Sequence, residues 1–175
     1  APASVTATAG NTTASVAWAP PSNAGPAGKT FTYTVEVRPG GTLCTTTGSS
    51  CDATGLVNGT AYTFYVFAAN KTGSGPSGNS AAITPIGPPG PPNSVGAFLK
   101  AGEALVTWQG PVDTGGAVID RYVVVSQPDG LTCETDGFQE CTVEGLSNGT
   151  VYSFTVTAFN AAGQSEASAP SSAAK

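Results

Sequence analysis

Leu56-Val57-Asn58-Gly59-Thr60-Ala61-Tyr62 leads into Thr63-Phe64-Tyr65-Val66-Phe67-Ala68-Ala69-Asn70. About 90 residues on, Leu146-Ser147-Asn148-Gly149-Thr150-Val151-Tyr152 leads into Ser153-Phe154-Thr155-Val156-Thr157-Ala158-Phe159-Asn160. In both places an Asn-Gly turn delivers the chain into a run where Tyr, Phe, Val and Ala fall on every second position. Glycine after asparagine supplies the backbone freedom a tight turn needs, and a period of two is the mark of a half-buried strand.

Outward from these segments the correspondence continues, with Trp18 matching Trp108, Tyr33 matching Tyr122, and Cys44 and Cys51 matching Cys133 and Cys141. The offset drops by one between the tryptophan and the second cysteine, and one extra residue in the second cysteine loop restores it. The chain is therefore a duplication. Alternation recurs at Val16 and Trp18, at Tyr33, Val35 and Val37, at Ala104, Val106 and Trp108, and at Tyr122 and Val124, and no stretch carries a helical period. An all-β class with two small domains in the 175 residues follows, and the 23 Gly and 14 Pro suit short strands joined by turns. The expected boundaries are residues 1–85, a Pro/Gly-rich linker at 86–92 and a second domain at 93–175. Four prolines in the linker favour polyproline geometry, a semi-rigid spacer of about 20 Å.

The turn ending in Tyr62 or Tyr152 resembles the tyrosine corner of fibronectin type III domains, in which a buried phenol is satisfied by the corner's own backbone. The Trp, the Tyr of the next strand and the Tyr-x-Phe-x-Val-x-Ala-x-Asn run match the same family, so the likeness covers nearly the whole chain twice. It implies two seven-stranded immunoglobulin-like β-sandwiches in tandem, with Tyr62 and Tyr152 structural. The paired cysteines and the richness in Ala, Thr and Gly resemble bacterial members found in secreted and surface proteins. One departure is that no Arg-Gly-Asp follows the Tyr-x-Phe strand, which excludes integrin binding by that motif. Another is that copy two closes on Ser172-Ala173-Ala174-Lys175 where copy one has Ala82-Ile83-Thr84-Pro85, so a frayed or shortened last strand is expected there.

The net charge of -5 is unevenly placed: residues 1–85 hold three basic and two acidic side chains, the remainder three basic and nine acidic. An acidic surface repels phosphate, so nucleic acid and anionic membrane are poor partners. No apolar run approaches the roughly 20 residues of a membrane helix, which speaks against direct insertion. The opening Ala1-Pro2-Ala3-Ser4 reads as a piece of a larger secreted or anchored protein.

Cys44 and Cys51 enclose six residues and Cys133 and Cys141 enclose seven, each pair around a turn-rich polar loop. Hairpin-like disulfides within each domain are expected, since a zinc site would want shorter spacings and usually histidine, of which the chain has none. Without histidine no serine has a visible activating base, so the chain reads as non-enzymatic, with no metal and no cofactor. Glu134, Asp136, Glu140 and Glu144 gather near the second cysteine loop, but they lack the alternating spacing of a calcium loop and read as a solvated acidic hairpin. Four Asn-x-Thr triplets, at Asn11, Asn58, Asn70 and Asn148, read first as turn chemistry.

If Tyr62, Phe64 and Val66 point inward, Tyr65 and Phe67 point to the outer face of the same sheet, beside Glu36 and Arg38. In copy two that face gathers Arg121, Val123, Val125 and Phe159. Exposed aromatics beside arginine are raw material for protein interfaces, so these eight residues are the candidate binding site. Ser77 and Ser80, like Ser168 and Ser171, keep a serine spacing found before the last strand of class I cytokine receptors. The tryptophans of that motif are missing, and the serines read as ordinary polarity of the last strand. The expected role is an extracellular, receptor-like or adhesive module of a bacterial surface or secreted protein, with a protein ligand, for example a host cytokine, and polysaccharide as a second ligand class. The alternative is a passive spacer of a carbohydrate-active enzyme.

Overall fold

The computed structural model describes residues 1–23 and 30–175 and divides into two compact units, Ala1–Ile86 and Gly87–Lys175. Unit 1 contains β1 (Ala3–Gly10), β2 (Thr13–Ala19), β3 (Thr32–Arg38), β4 (Thr42–Thr46), β5 (Ser50–Thr54), β6 (Thr63–Asn70) and two fragments of a last strand, β7 (Gly73–Ser74) and β8 (Gly78–Asn79). Unit 2 contains β9 (Asn93–Lys100), β10 (Glu103–Gln109), β11 (Ile119–Gln127), β12 (Thr132–Thr135), β13 (Glu140–Glu144), β14 (Ser153–Asn160) and the short β15 (Gly163–Gln164). Each unit is a two-sheet sandwich of antiparallel strands. The sheets run β1-β2-β5 and β4-β3-β6-β7 in unit 1, with β8 also on β6, and β9-β10-β13 and β12-β11-β14-β15 in unit 2.

The alternation of the sequence is the alternation of burial. Val16 and Trp18 from one sheet of unit 1 meet Tyr33, Val35, Phe64 and Val66 from the other, all nearly inaccessible. Val106, Trp108, Tyr122, Val124, Phe154 and Val156 do the same in unit 2. Trp18 lies tilted on Tyr33 and Trp108 edge-on to Tyr122, each at 5.3 Å between ring centroids. Burial pushes the phenols of Tyr33 and Tyr122 above the usual value of 10.0, which keeps both neutral in the core.

The corner tyrosines tie their own turns: the Tyr62 hydroxyl accepts the Val57 N–H at 3.1 Å and the Tyr152 hydroxyl accepts that of Ser147 at 3.0 Å. Tyr152 also donates to the Asp129 carboxylate at 2.5 Å. Copy one has glycine, Gly40, at the corresponding place. The Asn-Gly turns have a second use. Asn58 accepts the Thr12 N–H at 2.9 Å and Asn148 that of Gly102 at 3.2 Å, so each asparagine pins its turn to the first hairpin of its domain.

The disulfides Cys44–Cys51 and Cys133–Cys141 form within their domains, but neither closes a hairpin. Cys44 on β4 faces Val35 of β3, whereas Cys51 on β5 faces Val16 of β2. The chain between them passes from one sheet to the other, so each bridge staples the two sheets of its sandwich together. The spacing of six or seven residues fits a hairpin and a sheet-to-sheet crossover equally well, which is why sequence alone did not separate them. In the chain-entropy account a closure this short stabilises by about 2 to 3 kcal/mol. Replacing Cys44 and Cys51 by alanine is therefore expected to lower the melting temperature of unit 1 by roughly 10–20 °C. Calorimetry of the variant beside the oxidised parent measures this, and an unchanged transition would mean the staple contributes nothing.

The last strand of unit 2 is not frayed. The backbone N–H groups of Ser165, Ser168 and Ser171 donate to the carbonyls of Ala158, Val156 and Phe154 on β14 at 2.8–2.9 Å. In return the three hydroxyl oxygens accept the N–H groups of those same residues at 2.9, 2.9 and 3.1 Å. Ala174 exchanges backbone bonds with Tyr152 one step further. Three residues of this segment thus span every two of β14, the geometry of successive bulges, and serine supplies the acceptor that a regular strand would offer from its backbone. All three serines are buried. Unit 1 keeps one such rung, Ser80, whose hydroxyl accepts the Phe64 N–H at 3.1 Å.

From Gly87 onward the proline-rich segment is held by unit 2 rather than standing free as a spacer. Gly87 and Gly90 donate to the carbonyls of Gly115 and Asp113, both at 2.8 Å. Asn160 at the end of β14 donates to the carbonyls of Gly87 and Thr114, both at 2.8 Å, and accepts the N–H groups of Ala162 and Gly163. Gly115 has a φ of +68°, and a Cβ there would overlap the Gly87 carbonyl, so only glycine allows this approach.

Candidate functional site

The outer face of the β4-β3-β6 sheet is set by pleat: with Tyr33, Val35 and Val37 inward, Thr34, Glu36 and Arg38 must point out. On β6 the same rule turns Tyr65 and Phe67 outward, and register places Tyr65 opposite Glu36 and Phe67 opposite Thr34. The Arg38 guanidinium lies 4.4 Å from the Tyr65 ring centroid, and its Nη2 reaches the Glu36 carboxylate at 3.5 Å. Tyr65 and Phe67 are half-buried rather than fully exposed, and the Arg38 guanidinium covers the Tyr65 ring.

In unit 2, Arg121 stands opposite Phe159 across the β11–β14 pair and lies 3.9 Å above its ring centroid. Glu134 of β12 holds the guanidinium at 3.3 Å. Val123 and Val125 continue the face on β11, both half-buried. The structure thus brings Glu36, Arg38, Tyr65 and Phe67 together in one domain and Arg121, Val123, Val125 and Phe159 in the other, as two separate patches. Each carries the same device, an arginine stacked on an aromatic and locked by a glutamate. A stack of this kind contributes about 0.5–1 kcal/mol at an exposed site.

The two devices do not occupy equivalent positions. Arg38 ends β3 and Tyr65 lies near the start of β6, whereas Arg121 lies near the start of β11 and Phe159 near the end of β14. The duplication places Gln127 where copy one has Arg38, and Thr155 where it has Tyr65. No pattern in the sequence signals which arginine covers which ring.

The carboxylates of the second cysteine loop are dispersed. Glu134 is engaged with Arg121, Asp136 sits in the turn, and Glu140 and Glu144 lie at the two ends of β13. Among the described residues no group of three or more His, Cys, Asp or Glu is placed to hold a metal ion, all four cysteines are in disulfides, and no helix is long and apolar enough to cross a membrane.

Paired antiparallel sheets closed by a tyrosine corner define an immunoglobulin-like sandwich. More narrowly, the chain belongs to the fibronectin type III domain family, which matches residues 1–84 and 90–174. It is 31% identical over 143 residues to receptor-type tyrosine-protein phosphatase eta of Gallus gallus, a match that covers 81% of this chain and 10% of that protein. The chain therefore spans about a tenth of that relative's length. Among solved structures it resembles a run of titin domains at a TM-score of 0.57 and 20% identity, covering 98% of this chain and 61% of that one. It also resembles the FN1–FN3 domains of chicken CNTN1 at a TM-score of 0.42 and 23% identity, covering 97% and 65%. Domains of this family are typical of extracellular receptor and adhesion proteins, and the two disulfides suit that setting.

Proposed function

We propose that this chain is a non-enzymatic extracellular binding module, receptor-like or adhesive, that takes a protein ligand on the outer faces of the β4-β3-β6 and β12-β11-β14 sheets. The observation that carries this reading is the arginine stacked on an aromatic and held by a glutamate in both domains, at positions the duplication does not relate. Each patch pairs apolar area with a fixed cation, the combination that concentrates binding energy at interfaces. The paired cysteines and the richness in Ala, Thr and Gly favour a bacterial surface or secreted parent, and with it a host protein such as a cytokine as ligand. No cofactor enters this role.

The test is capture by the oxidised chain from panels of extracellular proteins and polysaccharides, followed by titration of whatever binds. Tyr65→Ser with Phe67→Ser is expected to weaken a protein ligand at least tenfold, about 1.4 kcal/mol, while unit 1 melts within a few degrees of the parent. Equal affinity in the double variant would remove that face from the site. Silence across both panels would favour the passive spacer of a carbohydrate-active enzyme.

A further inference from the structure

Phe98 is the most exposed aromatic on any strand, at 67%, and lies on the sheet opposite to the one just described. Ala104, Val106 and Trp108 of β10 point into the core, so Glu103, Leu105 and Thr107 point out. Register across β9, β10 and β13 then fixes three rows on the outer face. Phe98, Leu105 and Thr142 form the middle row; Lys100, Glu103 and Glu144 lie to one side; Gly96, Thr107 and Glu140 lie to the other. Phe98 and Leu105 are direct cross-strand neighbours, and Gly96, two residues before Phe98 on the same face, leaves one flank of the ring open.

Copy one has no counterpart. Its middle row reads Thr8, Ser15 and Asp52, with the Ser15 hydroxyl donating to Asp52 at 2.8 Å, a face made for water. An apolar pair at the matching place in copy two is therefore not required by the sandwich.

The surroundings select the partner. Glu103 and Glu144 stand on one side of the apolar row and Glu140 on the other, against a single cation, Lys100, which pairs with Glu103 at 3.5 Å. We infer that this face of unit 2 is a docking surface for an extended basic segment of another protein, in which one large apolar side chain is flanked two residues away on each side by Lys or Arg. Rows of a sheet repeat at about 6.8 Å, which is also the i to i+2 distance of an extended chain, so the flanking cations fall over the two carboxylate rows when the apolar residue sits on Phe98 and Leu105. A second copy of this chain is disfavoured as the occupant, because both surfaces would bring the same acidic rim.

The test uses the full oxidised chain, labelled for amide NMR and titrated with an acetylated, amidated Lys-Ser-Phe-Ser-Lys peptide. Saturable shifts confined to β9, β10 and β13 are expected, with no such response to the Glu-Ser-Phe-Ser-Glu peptide. Phe98→Thr with Leu105→Ser, which installs the residues copy one carries, is expected to weaken binding about tenfold or more. Glu140→Lys with Glu144→Lys is expected to reverse the preference between the two peptides, and amide spectra of both variants verify that they are folded. No saturation in the millimolar range, equal binding of the two peptides, or unchanged binding in either folded variant would overturn the inference.

Discussion

With Ser165, Ser168 and Ser171 all changed to alanine, unit 2 is expected to lose most of its stability and melt far below the parent while unit 1 keeps its own cooperative transition. Each hydroxyl oxygen is the acceptor for one N–H of β14, and Ala158, Val156 and Phe154 are themselves fully buried, so no water can take its place. An orphaned buried donor costs about 1–3 kcal/mol, and three of them reach roughly 3–9. A domain of this size has about 5–13 kcal/mol in all. The single Ser168→Ala variant reads the same effect at lower dose, a fall in melting temperature of roughly 5–20 °C. Ser172 lies in the same segment but is exposed, so Ser172→Ala should change little. Calorimetry of the four proteins measures this, and a triple variant melting with the parent would show that the segment is fastened by its backbone alone.

The second large effect is expected at Asn160. Its amide joins four backbone groups from the proline-rich segment, the Asp113–Gly115 turn and the turn after β14, so Asn160→Ala should cost about 2–4 kcal/mol. Asn160→Asp discriminates between packing and hydrogen bonding. It keeps the shape but directs a carboxylate at the carbonyls of Gly87 and Thr114, which raises the folded-state pKa of the new group above its unfolded value. Stability linked to it is then present below the usual carboxylate range and lost as pH rises through the raised pKa. The aspartate variant should therefore approach the parent near pH 4 and fall to the alanine variant or below at pH 7, measured by urea unfolding at both pH values. A pH-independent deficit would assign the effect to shape.

How much of this was legible depended on which period a segment obeys. The two-residue alternation of Tyr62 to Ala68 and Tyr152 to Ala158 gave the strands, and the duplication gave two sandwiches. The serine rungs follow a period of three, which fits neither a strand nor a helix template, so Ser168 and Ser171 read as ordinary polarity although their spacing was in plain view. Asn160 carries no such signal in the sequence, because the two carbonyls it donates to lie 46 and 73 residues away. Cys44 and Cys51 were paired from spacing, but only strand partnership reveals that the bridge joins two sheets. The pleat turns Tyr65 and Phe159 outward, yet the cover of Tyr65 by Arg38 and of Phe159 by Arg121 depends on rotamers that no pattern encodes. Phe98 carries no clear signal because β9 has only a partial alternation, with Gly96 interrupting it.

The sheet-to-sheet staples also bear on load. When a sandwich is drawn out by its two ends, the segment from Cys44 to Cys51, or from Cys133 to Cys141, stays looped after the rest has straightened. Each loop withholds about 20 Å of the contour that the fully extended chain would release. A reducing environment would return that slack, so in a tethered parent the reach of each sandwich after it gives way is set by the oxidation state of its one bridge.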